Sequence, residues 1–404
     1  MSVRFTILGG SSPFTAALFD ALWSVGAELP ELEIMLHGRD ERALALVARH
    51  GRARLGVHGW AVRSATDLEE ALDGARVVLH QVRYGGLEGR AQDEALSRAC
   101  GLPPDETLGP GALRSALRQR AGLDFVCDSL MWSCPRALVL NLTNPLSLST
   151  ARLADRGLVS CLGLCELPRV TVAEAAARLG VEPGEVHWAY RGLNHRGFVV
   201  AMRAGGRDLL AELPAALDTA PLHGIDGDTV RRLGALPTKY FPLLTGRAVN
   251  PTEGRAAFLE DLRARILAEI EAVPWQVPPA LGERYLAWYP EVVVPLLVAL
   301  GGRPTVLEVN LRGADGLVRE VRAQVGPEGI HPLEMPAVSP AVHAWIDRFE
   351  AHERCAQEAV ANPSFERVRM ALAADPMIRS GEVEACARMV WQGVPEPDPG
   401  GLPC

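Results

Sequence analysis

The segment from Val3 to Leu22 constrains this chain most. An apolar, β-forming run, VRFTIL, is followed by Gly9, Gly10, Ser11 and Ser12, and then by a helical pattern that begins at Thr15. A strand that passes through a Gly/Ser turn directly into a helix is the opening unit of a doubly wound sheet. The first half repeats the alternation: residues 32–36, 61–66, 75–81, 137–142 and 158–164 read as strands, with helical stretches such as 41–51 between them. Such connections cross over the sheet, so it is mostly parallel with helices on both faces.

Past Cys165 the pattern changes. Residues 186–190 and 197–203 read as two strands about a Gly-Leu-Asn-His turn, and 258–272 as a long helix. Residues 305–311 and 318–323 read as antiparallel strands, and the region from Pro340 onward as mostly helical. The expected fold class is α/β. A Rossmann-like, doubly wound, dinucleotide-binding domain spans 1–168, and an α+β substrate, metal and oligomerisation domain spans 169–394. A Pro- and Gly-rich tail covers 395–404.

The 404 residues suffice for two such domains. A net charge of -8 argues against a general nucleic-acid binder, because phosphate backbones need a basic face. No apolar stretch is long enough to span a bilayer. The eight cysteines include no C-x-x-C pair, and no basic, cleavable leader precedes the first strand. These features lead us to expect a cytoplasmic protein with reduced thiols, free of membrane partners.

Five motifs bear on chemistry. Gly9, Gly10, Ser11, Ser12 and Thr15 form the turn where a helix N-terminus meets a pyrophosphate, although an ordinary βα loop looks the same. The acidic residue usual after the second strand is missing; His37, Gly38 and Arg39 stand there. Arg39 suits the 2′-phosphate of NADP, or is a plain surface residue. Arg83 and Arg90 flank a Gly-rich turn past the fourth strand and suit a phosphate or carboxylate, or pair on the surface. Asn141 to Pro145 (NLTNP) orients a polyol or forms an Asx turn. Cys165 and His195 offer a thiolate and an imidazole to one divalent metal, or are unrelated core residues. Tyr240, beside Lys239, is a base if its pKa falls, or the edge of a core.

Taken in order, GGSSPFT, RYGGLEGRAQDE, ETLGPG, NLTNP, GLCELP, GLNHRGF, LPTKY and EGRAAF resemble the successive motifs of glycoside hydrolase family 4. These are the NAD- and metal-dependent 6-phospho-α- and 6-phospho-β-glucosidases and their relatives, and the resemblance covers about residues 3 to 335. It implies a sugar that is oxidised at C3 by NAD, loses its C2 proton to a base, and eliminates its C1 substituent. Water then adds, and the sugar is reduced again. By motif, Cys165 and His195 are the expected ligands of a metal, manganese by resemblance, and Tyr240 is the C2 base. Arg90 and Arg247 hold the 6-phosphate, Asn144 and Asn194 touch the sugar, and Glu106 lies near the reacting centre. Glu166 departs from the family, which has Asp in α-specific and Asn in β-specific members at this position. As the leaving-group acid it leans toward α-type chemistry. A homodimer or homotetramer is expected by resemblance. The rival reading is an NAD(P)-dependent sugar or polyol oxidoreductase or epimerase that uses the same site. A non-catalytic dinucleotide sensor is a second rival, and the joint retention of Cys165, His195 and Tyr240 speaks against it.

Overall fold

The structure is a computed structural model and describes residues 2–158, 160–246 and 254–394. The tail expected at 395–404 lies outside the described residues. Six strands of the first half, β1 (Val3–Leu8), β2 (Leu32–His37), β3 (Ala61–Ala65), β4 (Val77–His80), β5 (Leu138–Asn141) and β6 (Cys161–Leu164), pair in parallel in the order β3-β2-β1-β4-β5-β6. None of the residues of β1, β2, β5 and β6 is exposed and β4 has every residue buried, whereas the edge strand β3 buries only Val62 and Ala65. A sheet covered on both faces leaves little room for polar alternation.

The second half supplies β7 (His187–Leu193), β8 (Arg196–Ala204), β9 (Arg207–Asp208), β10 (Leu236–Pro237), β11 (Thr305–Arg312), β12 (Val318–Gly326) and β13 (Gly329–Pro332). These strands do not form a separate sheet. β11 pairs antiparallel with β6, matching Val309 to Leu164 and Asn310 to Gly163, and the sheet continues through β12, β7, β8 and β10. The boundary expected at residue 168 therefore falls between two strands of one 13-stranded sheet. Without β11, β6 would present an unpaired row of backbone groups.

The core crosses the same boundary. Leu18, Phe19 and Leu22 of the helix Thr15–Ser24 pack into the core of Phe5, Ile7 and Ile34. Leu262, Ile266 and Ile270 join them from the helix Arg255–Ala272, spaced four apart on one stripe. Tyr289, Val292, Val293 and Leu296 complete this layer. The helix Gly109–Ser133 meets the C-terminal helices Pro340–Ala361, Phe365–Ala374 and Val383–Gln392 in a second core. Phe19 is fully buried. Phe19→Ala is expected to destabilise the protein by about 3–5 kcal/mol, read as a lower urea midpoint at unchanged slope. An unchanged midpoint would show that this core closes without the ring.

Candidate active site

The carboxyl ends of β1, β4, β5 and β6 open toward the hairpin of β7 and β8. Gly9 leaves β1 with φ +89°, and a Cβ there would lie 2.9 Å from the Gln81 carbonyl oxygen. Only glycine tolerates both that conformation and that approach. The N–H groups of Gly9 and Gly10 donate to the His37 carbonyl at 3.1 and 2.7 Å, which pins the turn to the end of β2. β1 lies between β2 and β4, where the strand order reverses and doubly wound sheets bind ligands. Phe14, at the N-cap of the helix that follows, makes no side-chain cap, and Ser11 and Ser12 are half-buried at its entrance. The turn thus fits a dinucleotide.

Thr15 plays a different part from the one expected. It is fully buried, and its hydroxyl accepts from Gln81 Nε2 at 2.9 Å. Gln81 Oε1 in turn accepts from the Tyr289 hydroxyl at 2.7 Å. Thr15 supports the turn from behind and presents no side chain to the cleft. Arg39 stands two residues past β2. Burial pushes His37, the last residue of β2, below its usual pKa, which favours its neutral imidazole.

Cys165 directly follows β6 and is buried against Leu146 and Leu167, with Tyr240 packed on the group. His195 occupies the two-residue turn between β7 and β8 at φ +62°. Its ring stacks on Tyr240 with centroids 4.4 Å apart and planes 11° from parallel. Tyr240 therefore gathers the thiol and the imidazole, which come from different loops. Burial pushes His195 down to about 3, aided by Lys239 and Arg196 and opposed by Glu106. It is neutral, as a metal ligand must be. Burial raises the Cys165 thiol well above its ordinary value, and Glu166 and Glu320 raise it further. Leu167 N–H and the Asn194 amide work the other way. Among the described residues no group of three or more His, Cys, Asp or Glu is placed to hold a metal. The two side chains fit a divalent ion as a sulfur and nitrogen pair that leaves positions open for substrate oxygens.

Tyr240 is half-buried, and burial drives its phenol well above the ordinary range. Asp105, Cys165, Glu166 and Glu106 add to the rise. The Lys239 ammonium, 5.5 Å from the ring centroid, opposes these negative neighbours. Glu166 sits at the entrance to the helix Leu167–Arg178, and burial raises its carboxyl, which favours the protonated, acid form. Asn194 directs its amide nitrogen at Glu320 Oε1, 3.3 Å away. Glu320 also accepts from the Tyr190 hydroxyl at 2.7 Å and from Asn310 Nδ2 at 3.0 Å. Burial still pushes it up to about 7. Asn194 thus links a buried carboxyl to the Cys165 thiol. At the end of β5, Asn141 is the residue that makes the Asx turn, accepting Thr143 N–H at 3.1 Å. It also bonds His80, Ser149 and Thr150. Asn144 contributes its carbonyl to Gln119 Nε2 and stays half-buried, outside that network of side chains.

Glu106 bridges this pocket to a cationic corner. Arg83 and Arg90 both pair with its carboxylate. Burial opposes ionisation, but these arginines, with Arg284, outweigh it and hold Glu106 at about 2. Arg90 is also fastened to Glu94 at 2.8 Å. Glu94 accepts the Arg255 and Ala256 N–H groups and so caps the helix Arg255–Ala272. Arg284 lies over the rings of Phe14 and Trp288, at 4.8 and 5.1 Å. Burial lowers it to about 10, and Arg83, Arg255 and Arg90 crowd it further against the pull of Glu106. Arg247 lies outside the described residues. Arg284 and Glu320 escaped the reading of the sequence, and Arg255 was read only as part of the motif EGRAAF, with no role of its own. Glu320 left one signal, a carboxyl on the inward register of β12 beside Val318.

Two family models match the chain in succession. "Family 4 glycosyl hydrolase" covers residues 4–181, and "Family 4 glycosyl hydrolase C-terminal domain" covers 190–378. A probable 6-phospho-beta-glucosidase of Bacillus subtilis (strain 168) is 24% identical over 413 residues, covering 94% of this chain and 93% of its own. Two solved structures share the fold. The 6-phospho-beta glucosidase from Thermotoga maritima, with NAD and glucose-6-phosphate, has a TM-score of 0.87 at 21% identity, covering 97% of this chain and 98% of that one. A 6-phospho-alpha-glucosidase from gut microorganisms, with NAD and Mn2+, has a TM-score of 0.82 at 20% identity and covers 98% and 97%.

The Glu106 pairs carry a pH signature. An unfolded glutamate titrates near 4.3, and folding brings Glu106 to about 2. Its contribution is complete above the unfolded value and fades as pH falls toward 2. The stability gap between wild type and Arg83→Met should therefore narrow from about pH 5 downward, as read from urea midpoints. A gap that stays constant with pH would mean that the pair does not supply it.

Proposed function

The chain belongs to family 4 of the glycosyl hydrolases, and on that premise we propose that it cleaves 6-phospho-glucosides by an NAD- and manganese-dependent elimination. One observation carries the reading: Tyr240 stacks on His195, packs with Cys165, and shares Glu106 as a neighbour with a cluster of arginines. A proton-abstracting group, a pair of metal ligands and an anion site thus meet in one cleft beside a dinucleotide turn. The relatives, named for phosphoglucosidase activity and solved with NAD, Mn2+ and glucose-6-phosphate, support the substrate class and both cofactors. They favour the hydrolase over the oxidoreductase or epimerase that would use the same residues.

NAD, when bound at Gly9 to Ser12, supplies the acceptor and later the donor of the C3 hydride. Cys165 and His195 would hold the divalent metal, which would supply positive charge to polarise the sugar hydroxyls and to counter the negative neighbours of Tyr240. Tyr240 would take the C2 proton as its phenolate, a form that burial disfavours and that the positive charge of a bound metal would restore. Glu166, whose carboxyl is raised by burial, protonates the departing C1 oxygen. Asn144 orients the sugar near C2 and C3, and Asn194 holds Cys165 in register. Arg83, Arg255 and Arg284 receive the 6-phosphate, with Arg90 tied into the same corner through Glu106. Arg39, past β2, belongs to the adenosine end of the cofactor site. The 6-phosphate substrate, an oligomeric state of two or four, and a cytoplasmic location form one consistent reading. Among the described residues no helix is long and apolar enough to cross a membrane.

Hydrolysis of a 6-phospho-glucoside in deuterium oxide should place deuterium at C2 of the released sugar phosphate. Product free of deuterium would sink the elimination. Tyr240→Phe should lower kcat by about 10²-fold or more while NAD affinity holds. Arg284→Met should raise KM for the phosphorylated substrate about tenfold or more with a smaller effect on kcat. An equal loss on phosphorylated and phosphate-free substrates would remove Arg284 from the phosphate site.

A further inference from the structure

Thr107 stands in the loop before the helix Gly109–Ser133 and reaches His195 from outside the hairpin that carries it. Its Oγ1 lies 2.7 Å from His195 Nδ1 and 2.7 Å from Asp105 Oδ1. Asp105 Oδ1 also accepts the N–H groups of Thr107 and Leu108, at 2.8 and 3.0 Å. A hydroxyl has one proton to give. Given to His195, it would leave the Thr107 oxygen facing, at 2.7 Å, an Asp105 Oδ1 that the Thr107 and Leu108 N–H groups already hold as an acceptor. Given to Asp105, it leaves a lone pair facing Nδ1, and Nδ1 must carry the imidazole proton. The unprotonated nitrogen is then Nε2, for which the described residues supply no hydrogen-bond partner.

We propose that Thr107, anchored by Asp105, is a positioning residue that locks His195 in the Nδ1–H tautomer and so presents the bare Nε2 to the divalent metal. The rest of the geometry needs such a lock. The stack on Tyr240 fixes the ring plane but is indifferent to which nitrogen points where. The Thr238 hydroxyl, 3.0 Å from the His195 carbonyl, fixes the backbone but not the ring. Among the described residues only the Asp105–Thr107 pair distinguishes the two nitrogens. Histidine ligands commonly owe their orientation to a partner on the second nitrogen, and losing it weakens metal binding.

The inference rests on the reading that Cys165 and His195 hold a metal, and the test separates the two. The full chain is stripped with a chelator and titrated with Mn2+ alone, with free Mn2+ read by electron paramagnetic resonance. Thr107→Val should weaken Mn2+ binding about 10- to 100-fold, Thr107→Ser should stay within about threefold of wild type, and His195→Ala should lose the site. Unchanged NAD binding by Thr107→Val would show that the fold is intact. Should Thr107→Val bind Mn2+ like wild type while His195→Ala does not, the lock is overturned and the metal site stands. Should His195→Ala also bind like wild type, the metal reading fails and takes the lock with it. The wild-type protein gives a check that needs no variant. Its histidine nitrogen-15 spectrum should place the proton of His195 on Nδ1, and a proton on Nε2 would overturn the proposal.

Discussion

The pairing of β6 with β11 is the interaction on which the rest depends. Only two residue pairs make it, Val309 with Leu164 and Asn310 with Gly163, yet it joins a parallel half-sheet to an antiparallel one. Gly163 is built for the contact, since a Cβ there would sit 2.9 Å from Thr150 Oγ1 and 3.0 Å from Asn310 Cβ. Cys165 leaves the sheet two residues later. Across β11 and β12 the sheet reaches β7 and β8, whose turn carries His195. The thiol and the imidazole thus hang from the ends of strands in one continuous sheet, and Tyr240 meets both.

Desolvation governs the chemistry of the pocket. It keeps His195 neutral, Glu166 and Glu320 inclined to hold protons, and the Tyr240 phenol intact. Glu106 escapes because arginines surround it. Two regimes thus lie side by side: a reacting corner where negative charge is suppressed, and a binding corner where positive charge is concentrated. An anionic substrate is drawn toward the second and brings its neutral carbons against the first.

The parallel strands and the glycine turn were legible because each is written locally, in runs or motifs a few residues long, whereas Cys165, His195 and Tyr240 were joined only through the resemblance of the motifs that carry them. What escaped depends on partners far along the chain. The continuity of the sheet rests on β11, which alternates like any strand and gives no hint that it borders β6. Thr15 follows the turn as a cofactor contact would, but its side chain points back at Gln81. Asn141 and Asn144 are equivalent on paper, and only the folded contacts separate the Asx residue, buried at the end of β5, from the half-buried one whose carbonyl meets Gln119. Arg284 belongs to no motif, and its place beside Arg83 and Arg90 comes from packing on Phe14 and Trp288.

The shared core has a consequence for synthesis on the ribosome. Phe5, Ile7 and Phe19 are covered by Leu262, Ile266, Ile270 and Val292, and β6 is covered by β11. When the first six strands have emerged, one face of their first helix and one edge of their sheet still lack their cover, and both covers are encoded far downstream. Contacts of such long separation are slow to close and leave the nascent half exposed to wrong partners. The dinucleotide-binding half is thus an early segment of the chain and a late event in folding, completed only when residues near 310 have left the tunnel.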